Sequence, residues 1–157
     1  PLAERLKLSH TMGATDAICA KGVDAGDQVR EILSGDLPEI VIEAVGHRAQ
    51  ALNDAIELTR PFGQILYFGV PAQTIDGVKL RAALFKNLVI TTSIHPDFER
   101  TFPLAMQWIA EGRVNLKPLI THRFPLSQIQ QAFDTFRDRV DGAQKVVVEF
   151  PSWRLRK

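Results

Sequence analysis

Residues 39–70 read EIVIEAVGHRAQALNDAIELTRPFGQILYFGV. Two apolar runs, Glu39–Val45 and Gln64–Val70, flank a stretch with helical spacing. Leu52, Ala55, Ile56 and Thr59 fall on one stripe of a helix over 47–60, and Pro61 and Gly63 stop it. Gly46 closes the first run and Pro71 the second. Strand, helix, strand in that order is a βαβ unit, and its strands run parallel. Runs this continuously apolar predict strands buried on both faces, the mark of a parallel sheet covered by helices.

The alternation extends outward. Upstream, 1–12 has Leu2 and Leu6, then Leu8 and Met12, four apart, and Gly13 as a C-terminal stop. Thr15–Cys19 reads as a short strand. Asp27–Leu33 carries Val29, Ile32 and Leu33 on one helical face. Downstream, a longer connection over 71–87 leads to a further strand, Leu88–Ile94.

Beyond residue 100 the character changes. Thr101–Ala110 reads as a helix with Leu104, Ala105, Trp108 and Ile109 on one side and Pro103 in its first turn. KPLITHRFPL (117–126) is extended and apolar. Ser127 with Gln130 three residues on has the spacing of a capping box. It opens a helix whose stripe is Ile129, Ala132, Phe133 and Phe136. Asp141-Gly142 makes a turn, Lys145–Phe150 a closing strand, and 151–157 a frayed tail.

Composition sets the class. The 157 residues are 45% hydrophobic and 24% charged, an ordinary globular balance. Nineteen basic against 18 acidic residues leave a net charge of +1, which argues against a nucleic-acid partner. No run approaches the roughly 20 apolar residues that span a bilayer, so no membrane role is expected. One cysteine, Cys19, rules out an internal disulfide and reads as a small buried hydrophobe in a strand. This balance fits a reducing, cytoplasmic setting.

Motifs for phosphate cradling, nucleophilic elbows and zinc helices are all absent. His10, His47, His95 and His122 are scattered, with no metal-ligand spacing. What remains is a set of strand ends, because ligands of doubly wound sheets lie beyond the carboxyl ends of the strands. These are Val45-Gly46, Phe68-Gly69-Val70 and Ser93-Ile94-His95. Gly46 and Gly69 would let backbone approach a flat ring or a phosphate, but taken alone they read first as plain turn glycines.

In order and spacing, GATDAI, IVIEAVG, RPFG, QILYFGVP, LVITTSI, PLITHRFPLSQIQQAFD and DGAQKVVVEF resemble one family over nearly the whole chain. It is the C-terminal half of the medium-chain dehydrogenases, the zinc-type alcohol, polyol and threonine enzymes. The resemblance implies an α/β fold: a partial Rossmann domain over 1–112, with strands 3–6 of a doubly wound sheet. A return segment of the catalytic domain would follow over 113–150. It implies NAD or NADP as cofactor, with a lean to NAD, and a small alcohol or carbonyl substrate. It implies a homo-oligomer paired through strand 88–94.

The resemblance also places residues against the cofactor. Arg5 matches a basic position near the adenosine ribose. Val45 and Gly46 match the strand end lining the cofactor crevice. Phe68, Gly69 and Val70 match the segment whose backbone holds the nicotinamide carboxamide. Ser93, Ile94 and His95 match the segment meeting the nicotinamide from the last sheet strand. Lys145 matches a basic position near the phosphates.

No catalytic residue and no zinc ligand is carried over. The zinc of the parent enzyme finds no ligands in this sequence, and the glycine-rich first turn is missing. The chain therefore reads as a fragment, inactive alone. Alternatively, it is a non-catalytic remnant or interaction module keeping half a nucleotide fold. A methyltransferase on a doubly wound sheet fits less well, because it has no place for LITHRFPL. With strands 1 and 2 absent, Thr15–Cys19 would lack a neighbour to pair with and is expected to be displaced.

Overall fold

The computed structural model describes residues 3–19, 24–95 and 97–151. They form two compact units: a continuous one from the residues between 22 and 101, and a split one from those before 22 and after 101.

The continuous unit contains α1's successor in sequence, α2 (Ala25–Ile32), then β1 (Ile40–Glu43), α3 (Ala49–Leu58), β2 (Gln64–Tyr67), α4 (Leu80–Phe85) and β3 (Val89–Thr92). Here α1 denotes Ala3–Thr11, in the split unit. The sheet order is β1-β2-β3 and both pairings are parallel, as the βαβ reading required. Glu43 pairs with Tyr67 and Tyr67 with Thr92, so all three strands end in one row. That row is the floor on which the site is built.

The α3 stripe holds as read. Leu52, Ala55 and Ile56 are buried against Ile65 of β2 and Ala83 of α4, with Val41, Tyr67, Val78, Ala82 and Leu88 packed around them. Thr59 is fully buried, and its hydroxyl donates to the Ala55 carbonyl at 2.6 Å. The end of α3 is closed from outside the helix. The Lys86 ammonium donates to the carbonyls of Ile56, Glu57 and Thr59 at 3.0, 2.6 and 2.9 Å. These are carbonyls that a helix end leaves without partners, and a cation there also meets the negative end of the helix dipole.

The expected burial of both sheet faces is not found. Val41 and Glu43 point into the packed side of β1, while Ile40 and Ile42 are 61% and 63% exposed. The packed core draws on α3 and α4 and lies on one face. The first run is continuous, but burial along β1 alternates with the period of two that a strand imposes. The connection over 71–87 also contains α4, which the sequence reading left unassigned.

α5 (Phe98–Ala110) starts in the continuous unit and ends in the split one, which goes on with β4 (Ile120–Pro125), α6 (Ile129–Asp138) and β5 (Lys145–Glu149). β4 and β5 pair in parallel, with a bulge between Ile120 and His122. Arg123 ties the two strands to each other through Glu149 at 2.9 Å. α1 belongs here too: Arg5 Nε donates to Gln144 Oε1 at 2.9 Å.

Several local expectations are corrected. Thr15–Cys19 forms no strand, and Cys19 is exposed rather than buried. A strand needs a hydrogen-bonded neighbour, and among the described residues this segment pairs with none. α5 begins at Phe98, so Pro103 lies inside it. The earlier start follows from Asp97, whose carbonyl and carboxylate accept from Thr101 N and Arg100 N at 2.7 and 3.4 Å. Leu104, Trp108 and Ile109 on α5 are exposed.

No capping box forms at Ser127. A 3₁₀ turn over Leu126–Gln128 intervenes, α6 starts at Ile129, and Gln130 bonds Asp134 instead. On α6, Ala132 is buried, but Ile129, Phe133 and Phe136 are exposed. The tail over 152–157 lies outside the described residues.

Candidate functional site

The site forms where β1 and β2 end. Glu43, the last residue of β1, is 4% exposed. Its Oε1 accepts from Val45 N at 2.8 Å and Gly46 N at 2.9 Å, and its Oε2 lies 3.2 Å from Gly46 N. Its main-chain carbonyl accepts from Phe68 N and Gly69 N at 2.8 and 2.9 Å. From the other side, the Tyr67 hydroxyl donates to the Gly46 carbonyl at 2.9 Å. One glutamate and one tyrosine thus stitch the turn after β1 to the turn after β2.

The two glycines explain how close these turns come. Gly46 has φ +80°, and a Cβ there would strike the backbone of Gly69 and Val70. A Cβ on Gly69 would strike the backbone of Gly46 and come within 2.6 Å of Glu43 Oε2. Backbone lies on backbone, and no side chain fits between. Each glycine makes room for the other, which neither the turn reading nor the ligand reading anticipated.

Beside this clasp is a cavity of about 500 Å³, lined by Tyr67–Pro71 from the β2 end and Thr92–His95 from the β3 end. Phe68, Val70 and Ile94 are 51%, 61% and 53% exposed there. The N–H groups of Phe68 and Gly69 are held by Glu43. No hydrogen bond within the described residues uses the Val70 N–H. Tyr67 has its pKa raised, first by burial and then by the charge of Glu43, so its hydroxyl stays a donor.

Eight of the ten expected cofactor residues share the continuous unit: Val45, Gly46, Phe68, Gly69, Val70, Ser93, Ile94 and His95. Arg5 and Lys145 lie in the split unit. Arg5 is bonded to Gln144, the neighbour of Lys145, and Lys145 lines a small apolar cavity with Phe133, Phe136 and Val148. Sequence reasoning missed Glu43 and Tyr67. The signal for Glu43 was available: a carboxylate inside an apolar β-branched run is a charge that the strand will bury.

Among the described residues no three His, Cys, Asp or Glu side chains come together to hold a metal ion. His10, His47 and His122 each bond a nearby oxygen of their own segment, Ala14 O, Val45 O and Thr121 Oγ1. Among those residues no helix is long and apolar enough to cross a membrane.

The zinc-binding dehydrogenase family model matches residues 1–111. Sorbitol dehydrogenase of Homo sapiens is 31% identical over 140 residues, covering 86% of this chain and 37% of that protein. An alcohol dehydrogenase of Cupriavidus necator is 27% identical over 146 residues, covering 92% and 40%. Among solved structures, a short chain alcohol dehydrogenase of E. coli CFT073, complexed with the cofactor NADH, superposes with a TM-score of 0.80. It is 26% identical and covers 95% of this chain and 42% of its own.

Alcohol dehydrogenase TADH of Thermus sp. ATN1 gives a TM-score of 0.81 at 26% identity, covering 96% and 43%. The chain spans about two fifths of the length of such relatives. Its parallel α/β architecture is of the Rossmann type found in these alcohol dehydrogenases. With a family model matched over more than half its length, the chain belongs to the zinc-binding dehydrogenases.

Proposed function

We propose that this chain supplies the nicotinamide-facing part of an NAD(P)-dependent alcohol or polyol dehydrogenase. The observation that carries the reading is the Gly46–Gly69 clasp, level with three strand ends and flanked by an open cavity. Strand carboxyl ends are where open α/β sheets take their ligands. Bound there, a nicotinamide accepts or donates hydride at its ring.

The chain's own task is placement. Glu43 and Tyr67 fix the two turns, and Thr92, Ser93 and His95 bring polar side chains to the cavity. Phe68, Val70 and Ile94 give apolar surface for a flat ring. Arg5 and Lys145 would supply positive charge to the ribose and phosphates. No zinc step is assigned to this chain, because its described residues do not offer a ligand set.

The similar NADH-bound alcohol dehydrogenase supports NAD over NADP. In this reading residues 1–112 belong to the dinucleotide-binding domain and 113–150 to the returning part of a catalytic domain. The full enzyme acts in the cytoplasm on a small alcohol or carbonyl, and copies associate through strand 88–94.

The test is NADH binding to this chain, followed by the fluorescence of the reduced ring. Binding in wild type that Gly69→Ala abolishes is the expected result. Wild-type chain that binds neither NADH nor NADPH would sink the proposal, and the remnant or interaction-module reading would replace it.

A further inference from the structure

We propose that the Glu43 carboxylate selects for the oxidised, cationic form of nicotinamide at the strand-end cavity. The proposal rests on the nicotinamide reading above and adds a role for one residue. Glu43 is the single buried charged side chain among the described residues. None of the ion pairs found among those residues includes it. Its partners are N–H groups, which satisfy its oxygens but carry no net charge. A buried carboxylate held this way leaves negative potential around it, and burial limits screening by salt.

The clasp leans chiefly on one oxygen of that carboxylate. The two shortest contacts, from Val45 N and Gly46 N, both fall on Oε1. A glutamine oxygen would accept both, at the cost of the longer contact from Gly46 N to Oε2 at 3.2 Å. The other stitches use the Glu43 main-chain carbonyl and the Tyr67 hydroxyl, not the carboxylate. Oε2 accepts only the longer contact, from Gly46 N at 3.2 Å, and it faces Gly69, whose backbone lines the cavity. The oxidised ring carries a positive charge and the reduced ring is neutral. A fixed negative charge behind the cavity wall acts on that difference, while packing and hydrogen bonds act on both forms.

The experiment measures the affinities of this chain for NAD+ and NADH, by calorimetry and fluorescence, in four proteins. Glu43→Gln keeps the acceptor and removes the charge. It is expected to lower the ratio of NAD+ to NADH affinity about threefold to tenfold relative to wild type. Glu43→Asp keeps the charge on a shorter arm, and Tyr67→Phe removes one stitch and keeps the charge. Both are expected to weaken the two forms together and leave the ratio within twofold.

A ratio unchanged in Glu43→Gln, with both forms still bound, overturns the selector role and leaves the nicotinamide reading standing. A ratio that shifts in Glu43→Asp or Tyr67→Phe as much as in Glu43→Gln overturns it too, because loosening alone would then suffice. If Glu43→Gln does not fold, Glu43→Ala removes the charge instead, and a ratio that falls no further in it than in Tyr67→Phe overturns the selector role. If neither form binds the wild-type chain, the nicotinamide reading falls and the selector role falls with it.

Discussion

At the scale of single residues, the clasp makes demands that no compensating change can meet. Gly69→Ala puts a methyl group onto the Gly46 backbone, and Gly46→Ala adds a positive φ to the same collision. Overpacking of this kind costs about 1–3 kcal/mol. Urea unfolding should show Gly69→Ala destabilised by that amount, and Gly46→Ala by more. Tyr67 adds a pH dependence. Burial and the Glu43 charge raise its pKa above the usual 10.0. The protonated phenol is thus favoured in the folded chain. Its contribution is complete below the unfolded value and is lost as pH rises through the folded one. Alkaline melts of wild type should fall in that window, and Tyr67→Phe should not share the drop. Both glycines were legible in the sequence as glycines. Their mutual contact was not, because two turns separated by a helix show no pairing until the strands are in register.

At the scale of elements, the α3 end shows how much a connection can add. Lys86 follows α4, yet its three N–H donors are filled by the last carbonyls of α3. Hydrogen bonds from a charged group contribute about 1.5–3 kcal/mol. Burial lowers the Lys86 pKa, with Glu57 opposing and Arg30 adding to the effect, so desolvation takes part of this back. Lys86→Met should cost about 1–2 kcal/mol in urea unfolding, a net value for a charged cap. A loss within error would mean that the carbonyls are equally content with water.

The α3 stripe and the parallel strands were readable because period 3.6 and β-branched runs are properties of short stretches. Strand ends were readable from Gly46 and Pro71. The α6 stripe was misread for a physical reason. Periodicity tells which residues share a face, and it does not tell what covers that face. Phe133 and Phe136 share theirs with the buried Ala132 and remain open. Glu43 went unassigned because its role lies in bonds to turns, and the turns take their places only once β1 and β2 are paired.

At the scale of the whole molecule, the open edges of the sheet matter most. Among the described residues β1 and β3 each pair with β2 alone, and all four residues of β3 are exposed. Unpaired edges recruit other strands. Sedimentation should find association of wild type, reduced by Val89→Lys with Thr91→Lys, since edge lysines discourage pairing. Wild type that sediments as a monomer at high concentration would count against the edge.

The split unit has a further consequence, for synthesis. Arg5 bonds Gln144 across 139 positions of chain, while residues between 22 and 101 form a unit of their own. On the ribosome, the continuous unit has all its parts long before α1 has its partner. α1 buries none of its residues even when docked. Its bond to Gln144 must therefore wait until residue 144 has cleared the exit tunnel. A nascent chain stalled before that point should already protect β1–β3 from protease, while the α1 segment stays open to cleavage.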